Sequence, residues 1–150
     1  MTDQDHQRVI RFIAENRFPF PGQTDWPVGY VTLVNGDRQL HSIEGTDGPH
    51  WPDIVILNEK GQPCRFGEVE TDLSEAAVTR WAACAAAADT MNETGVKNLF
   101  VYVPRGMAAG ALELLDRNGI SFAGLREYAV EDERVVITPV LTRGDRYDHQ

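Results

Sequence analysis

Cysteine is scarce in this chain: among its 150 residues only Cys64 and Cys84 carry thiols, twenty positions apart. There is no Cys-x-x-Cys and no histidine at ligand spacing beside either one. The pattern therefore predicts two reduced thiols in or near a core rather than a disulfide scaffold or a zinc ribbon. Long apolar runs are missing as well. The longest near-apolar stretch, Trp81–Ala88, falls far below the ~20 residues of a membrane-spanning helix. Met1–Arg11 is charged rather than signal-like, so the expectation is a soluble, cytoplasmic protein with no membrane contact. Basic residues are few, 14 Lys and Arg against 23 Asp and Glu, for a net charge of -9. That balance excludes a protein that coats DNA or RNA through broad phosphate neutralisation. It leaves room for a compact basic patch, or for a metal ion that reverses the local sign. Several catalytic signatures are absent too: no Gly-rich phosphate loop ending in Gly-Lys, no Gly-x-Ser-x-Gly around Ser42, Ser74 or Ser121, and no His-Glu-x-x-His. His50, next to Trp51, reads as loop packing.

What is present is an ordinary folded composition, 42% apolar and 25% charged. The length suits one domain, expected over residues 1–141, with 142–150 a frayed, flexible tail. His6, Val9, Ile10 and Ile13 recur at helical spacing and predict a first helix over Asp3–Asn16, stopped by Pro19. Alternation then takes over. Val28–Val34 reads as a strand, Asn35-Gly36-Asp37 as a turn, and Gln39–Glu44 as a second strand. Gly45–Pro52 reads as a loop. Asp53–Leu57 and Arg65–Glu70 form a hairpin about Asn58–Gln62. A helix to about Met91 follows, with Asp72 as N-cap and Glu75 three residues on. Asn98–Val103 is nearly all apolar, as in a central strand covered on both faces. A helix from Ala108 to Asn118 and two strands, Ser121–Tyr128 and Arg134–Val140, complete an α/β domain with a mixed sheet flanked by helices.

The chemistry is concentrated in two strings, Trp51-Pro52-Asp53 and Gly67-Glu68-Val69-Glu70-Thr71. Glu68 and Glu70 are two apart on a strand, so both leave the same face while Val69 enters the other. The hairpin brings Asp53 beside them. Crowded carboxylates repel and raise one another's pKa, a conflict that a hard divalent cation removes. In the other reading the acids line a solvated sheet end or pair with Arg65 or Arg80.

The order of elements, with Pro52-Asp53, then Glu68-Val69-Glu70 fifteen residues on, then a helix and an apolar strand, resembles the PD-(D/E)xK nuclease superfamily. The likeness spans about Asp3 to Pro104, with the helix and strand over Ala108–Tyr128 as an addition. It implies a restriction-endonuclease-like fold, with Asp53 and Glu68 as metal-binding acids, Mg²⁺ or Mn²⁺ as cofactor and DNA or RNA as substrate. The implied activity is metal-assisted phosphodiester hydrolysis, with Asp53, Glu68 and Glu70 as the catalytic group. Glu70 stands where the superfamily usually carries lysine, and a glutamate cannot supply that positive charge. It is able to ligate a second cation or act as a general base. Lys60 and Arg80 are substitute cations to consider, and Glu15 matches the extra acid that many members place on the first helix. Arg8, Arg11, Arg17 and Arg105 would position a nucleic-acid backbone. The alternative is a catalytically inactive, nuclease-like binding or assembly module.

Overall fold

The computed structural model describes residues 2–91, 97–146 and 148–150. Helix α1 (Asp3–Asn16) starts where Thr2 Oγ1 accepts the Asp5 amide at 3.1 Å, and it buries Val9, Ile10, Ile13 and Ala14. Among the described residues, eight strands and two further helices follow: β1 (Val31–Val34), β2 (Ile43–Gly45), β3 (Gly48–His50), β4 (Ile54–Leu57), β5 (Pro63–Val69), α2 (Glu75–Met91), β6 (Leu99–Pro104), α3 (Ala108–Arg117), β7 (Gly124–Glu131) and β8 (Arg134–Thr142).

Six strands form one mixed sheet in the order β1-β4-β5-β6-β7-β8, and β2 and β3 pair separately. The β5–β6 and β6–β7 pairs are parallel; the other neighbours are antiparallel. Parallel neighbours need a crossover, and α2 and α3 supply the two. Both crossovers step across the sheet in the same direction, so their shared handedness places both helices on one face. There Trp81, Cys84, Ala111 and Leu115 pack against Val55, Phe66, Val101 and Leu125. The opposite face is closed by α1, whose Val9, Ile10 and Ile13 join Ile54, Ile56, Val69, Phe100 and Tyr102. Residues Leu99–Val103 are buried throughout, as their unbroken apolar run predicts. Trp81 is core, with none of its surface exposed.

Four expectations are corrected, three within the chain and one at its end. Asn35-Gly36-Asp37 does not close a hairpin, because β1 pairs with β4, Val34 opposite Ile54. Asn35 instead organises the following loop, its Nδ2 donating to the carbonyls of His41 and Pro52 and its Oδ1 accepting from the amides of Leu40 and His41. The segment read as a loop, Gly45–Pro52, contains β3, which folds back on β2 to make a small hairpin against α2. Ile43, buried on the α2 side, anchors it. Helix α2 begins at Glu75, and Ser74 Oγ rather than Asp72 accepts the amide at its start, from Ala77 at 3.2 Å. The chain needs Thr71–Leu73 to turn off the sheet, since the ladder still holds at Glu70 through its amide to the Tyr102 carbonyl.

The end of the chain is packed rather than frayed. Arg126, 1% exposed, donates from Nε to the Gln150 carbonyl and from Nη2 to that of Asp148, and Gln150 is itself buried. Tyr147 lies outside the described residues. No helix among those residues is long and apolar enough to cross a membrane.

Candidate metal and carboxylate site

The site forms where the β4–β5 ladder ends. Ile54 pairs with Gly67, so the next residues outward, Asp53 and Glu68, face each other. Two backbone amides lock them reciprocally. The Val69 amide donates to Asp53 Oδ2 at 2.8 Å, and the Asp53 amide donates to the Glu68 carboxylate. Gly67 helps the strands come this close, because a Cβ there would sit 3.3 Å from Ile54 side-chain atoms. Strand alternation sends Glu68 and Glu70 toward α2, while Val69 enters the α1 core.

Helix α2 meets these two acids in register. Four residues of helix rise about 6 Å and two residues of strand about 6.6 Å, so a pair four apart on α2 matches Glu68 and Glu70. Arg80 Nη2 lies 2.5 Å from Glu70 Oε2, and Cys84 Sγ donates to Glu68 Oε1 at 3.3 Å. From the β2–β3 hairpin, His50 Nε2 reaches the same Glu68 Oε1 at 2.8 Å. On the other side His6 Nε2, which must donate because its partner is a carbonyl, lies 2.7 Å from Val69 O. The Tyr128 hydroxyl donates to the Glu70 carbonyl.

Burial dominates the electrostatics. Glu68 and Glu70 are 1% and 2% exposed. Desolvation, followed by the charge of Glu70, pushes the Glu68 carboxyl up to about 8. Asp53 is raised to about 8, by burial and then by the charge of Glu68. Desolvation and the Arg80 charge lower His50, which keeps its imidazole neutral. Burial, then the nearby Glu68, holds the Cys84 thiol well above its ordinary range. Glu70 Oε1 is buried with no hydrogen-bond partner among the described residues.

The structure thus brings Asp53, Glu68 and Glu70 into one electrostatic group. Of the two substitute cations, Arg80 belongs to it and Lys60 does not. Lys60 is exposed in the turn at the far end of the β4–β5 hairpin. Glu15 is exposed on α1. Arg105 follows β6 but is paired with Glu131 at 2.6 Å, and Arg8 lies 3.7 Å from Asp5. Arg17 lines a separate cleft with Arg126 and His149. Arg11 is exposed on α1.

Sequence reasoning missed His50 and Cys84. With Glu68 they offer three ligand atoms within 4.8 Å of one another, a group able to hold a metal ion. Their separations of 18 and 16 residues from Glu68 fit no local motif. A comparison with family models, curated proteins and solved structures finds no match to this chain.

Proposed function

We propose that the chain is a divalent-metal-dependent nuclease of the PD-(D/E)xK type with a variant site, hydrolysing phosphodiester bonds of DNA or RNA. One observation carries this reading: Asp53 and Glu68 are locked side by side at a sheet end, with Glu70 next to them, in a setting that penalises their charge. Holding ionisable groups there costs stability, a pattern common where those groups do chemistry. The donor set fits a hard divalent cation. Carboxylates are its preferred ligands, and Glu70 Oε1 is a buried oxygen lacking a partner. Asp53 and Glu68 would hold the ion, which supplies Lewis-acid activation of water and of the phosphoryl group.

The chain's own residues do the rest. Arg80 interacts with all three acids, so it occupies the role that the superfamily's lysine would fill, from the helix rather than from the strand. Its guanidinium neutralises Glu70 and is still about one-third exposed, which leaves donors for a phosphate. His50, held neutral, lies with Nε2 2.8 Å from Glu68 Oε1, where it would donate to the ionised carboxylate and orient it toward the ion.

The test is cleavage of supercoiled DNA, single-stranded DNA and RNA with Mg²⁺ or Mn²⁺. Expected are metal-dependent products that Asp53→Asn and Glu68→Gln each reduce by about 100-fold or more. Arg80→Met should lower kcat more than KM. Absence of cleavage on every substrate, with divalent binding retained, would support the second reading, an inactive binding or assembly module. That reading is favoured by the tight Glu70–Arg80 pair, which satisfies the site internally.

A further inference from the structure

We propose that this chain has a zinc-class metal site made by His50 Nε2, Glu68 Oε1 and Cys84 Sγ, distinct in metal preference from a carboxylate-only magnesium site. The site stands whether or not the chain cleaves nucleic acid. The three groups come from a hairpin, a strand and a helix, and their ligand atoms lie within 4.8 Å of one another. Both partners converge on the same oxygen, at 2.8 Å from His50 and 3.3 Å from Cys84. Around a tetrahedral zinc, with bonds of about 2.0–2.3 Å, neighbouring ligand atoms sit roughly 3.4–3.6 Å apart. The two contacts on Glu68 Oε1 therefore have to open by roughly 0.3–0.6 Å.

The donor chemistry selects the metal. Nitrogen, oxygen and sulfur together suit Zn²⁺ and its neighbours, whereas Mg²⁺ takes oxygen and avoids thiolate. Charge selects it too. A thiolate and a carboxylate balance a divalent ion, with the imidazole neutral. The Cys84 proton, which now bridges to Glu68, and the proton held on the Glu68 carboxyl would both pass to solvent as the metal bonds form. Three protein ligands leave a fourth position for water, the pattern of a catalytic rather than a structural zinc centre. A cavity of about 130 Å³ between the β2–β3 hairpin and α2, lined by Gly45, His50, Thr79, Arg80 and Ala83, opens onto His50 and supplies the route in. Glu68 belongs to both ligand sets, so an ion seated here removes it from the pair with Asp53.

The probes are Co²⁺ and Zn²⁺ alone, added to the full chain after chelation, with a reductant that contains no thiol. Expected is one Co²⁺ per chain, a thiolate-to-cobalt charge-transfer band, and the strong visible bands of tetrahedral cobalt. Zn²⁺ should displace it and a large excess of Mg²⁺ should not. Cys84→Ser should abolish the charge-transfer band, and His50→Gln should weaken Zn²⁺ binding roughly tenfold or more. Because the chain has two cysteines, Cys64→Ser decides the matter even if the Cys84 variant fails to fold: the band must persist. Absence of the band in the wild type, its loss in Cys64→Ser, or its survival in Cys84→Ser would overturn the site. None of these readouts depends on nuclease activity, so failure here and failure to cleave are separate results.

Discussion

At the scale of single residues, the acids at the sheet end are a liability that the surrounding groups manage differently. Arg80 neutralises Glu70, while Asp53 and Glu68 respond by holding protons. Without divalent ions, their shift from ordinary values of 3.8 and 4.5 up to about 8 means that the folded chain binds more protons than the unfolded chain across that window. Stability from these groups is thus complete below about pH 4 and is lost as pH rises through 8. Melting curves in a chelator should accordingly show a lower Tm at pH 8.5 than at pH 5.5. Asp53→Asn should flatten the difference. The Arg80 pair makes a second prediction. Removing one partner of a buried ion pair is costly because the other is left uncompensated, though the one-third exposure of Arg80 reduces the loss. Arg80→Met should destabilise by about 2 kcal/mol in urea unfolding, and adding Glu70→Gln should recover most of it.

At the scale of elements, periodicity predicted the helices and the central strands, and it missed what depends on partners. Helix α1 lies where its apolar spacing places it, over Asp3–Asn16, because a helix buries its own stripe of residues. Strand β3 was not legible, since Gly48-Pro49-His50 has no strand propensity. It is extended because β2 offers it a ladder and Ile43 pins the hairpin to the core. The start of α2 was misplaced for a related reason. Asp72 and Ser74 are both good caps, and the length of the turn leaving β5 decides between them. Ser74→Ala should cost about 1 kcal/mol, whereas Asp72→Ala should stay within about 0.5 kcal/mol, both read from chemical denaturation midpoints.

At the scale of the whole molecule, the sheet is closed on both faces, and its far edge is tied down by a buried arginine. Arg126 donates to the carbonyls of Leu125, Leu141, Asp148 and Gln150, which turns the last residues into part of the fold. Its neighbour Gly124 leaves the space it needs, since a Cβ there would lie 2.8 Å from the guanidinium. Arg126→Met should release residues 143–146 and 148–150. Hydrogen exchange there should accelerate and limited proteolysis should trim them, with a stability loss of about 2 kcal/mol.

Local chemistry by itself determined the class of fold and the pairing of Glu68 with Glu70 on one strand face, because helix and strand periods are properties of a few consecutive residues. It also placed Asp53 beside them, through the short hairpin. Which groups answer those acids was decided only in three dimensions. Arg80 and Cys84 reach them because four residues of helix nearly match two of strand, and His50 because a hairpin folds over the helix. The scarcity of cysteine was a true reading of the chain as a whole, and it hid one thiol that sits within hydrogen-bonding distance of a buried carboxylate. Ligand spacing along a sequence measures only local sites, whereas this one joins three elements brought together by burial of the core they share.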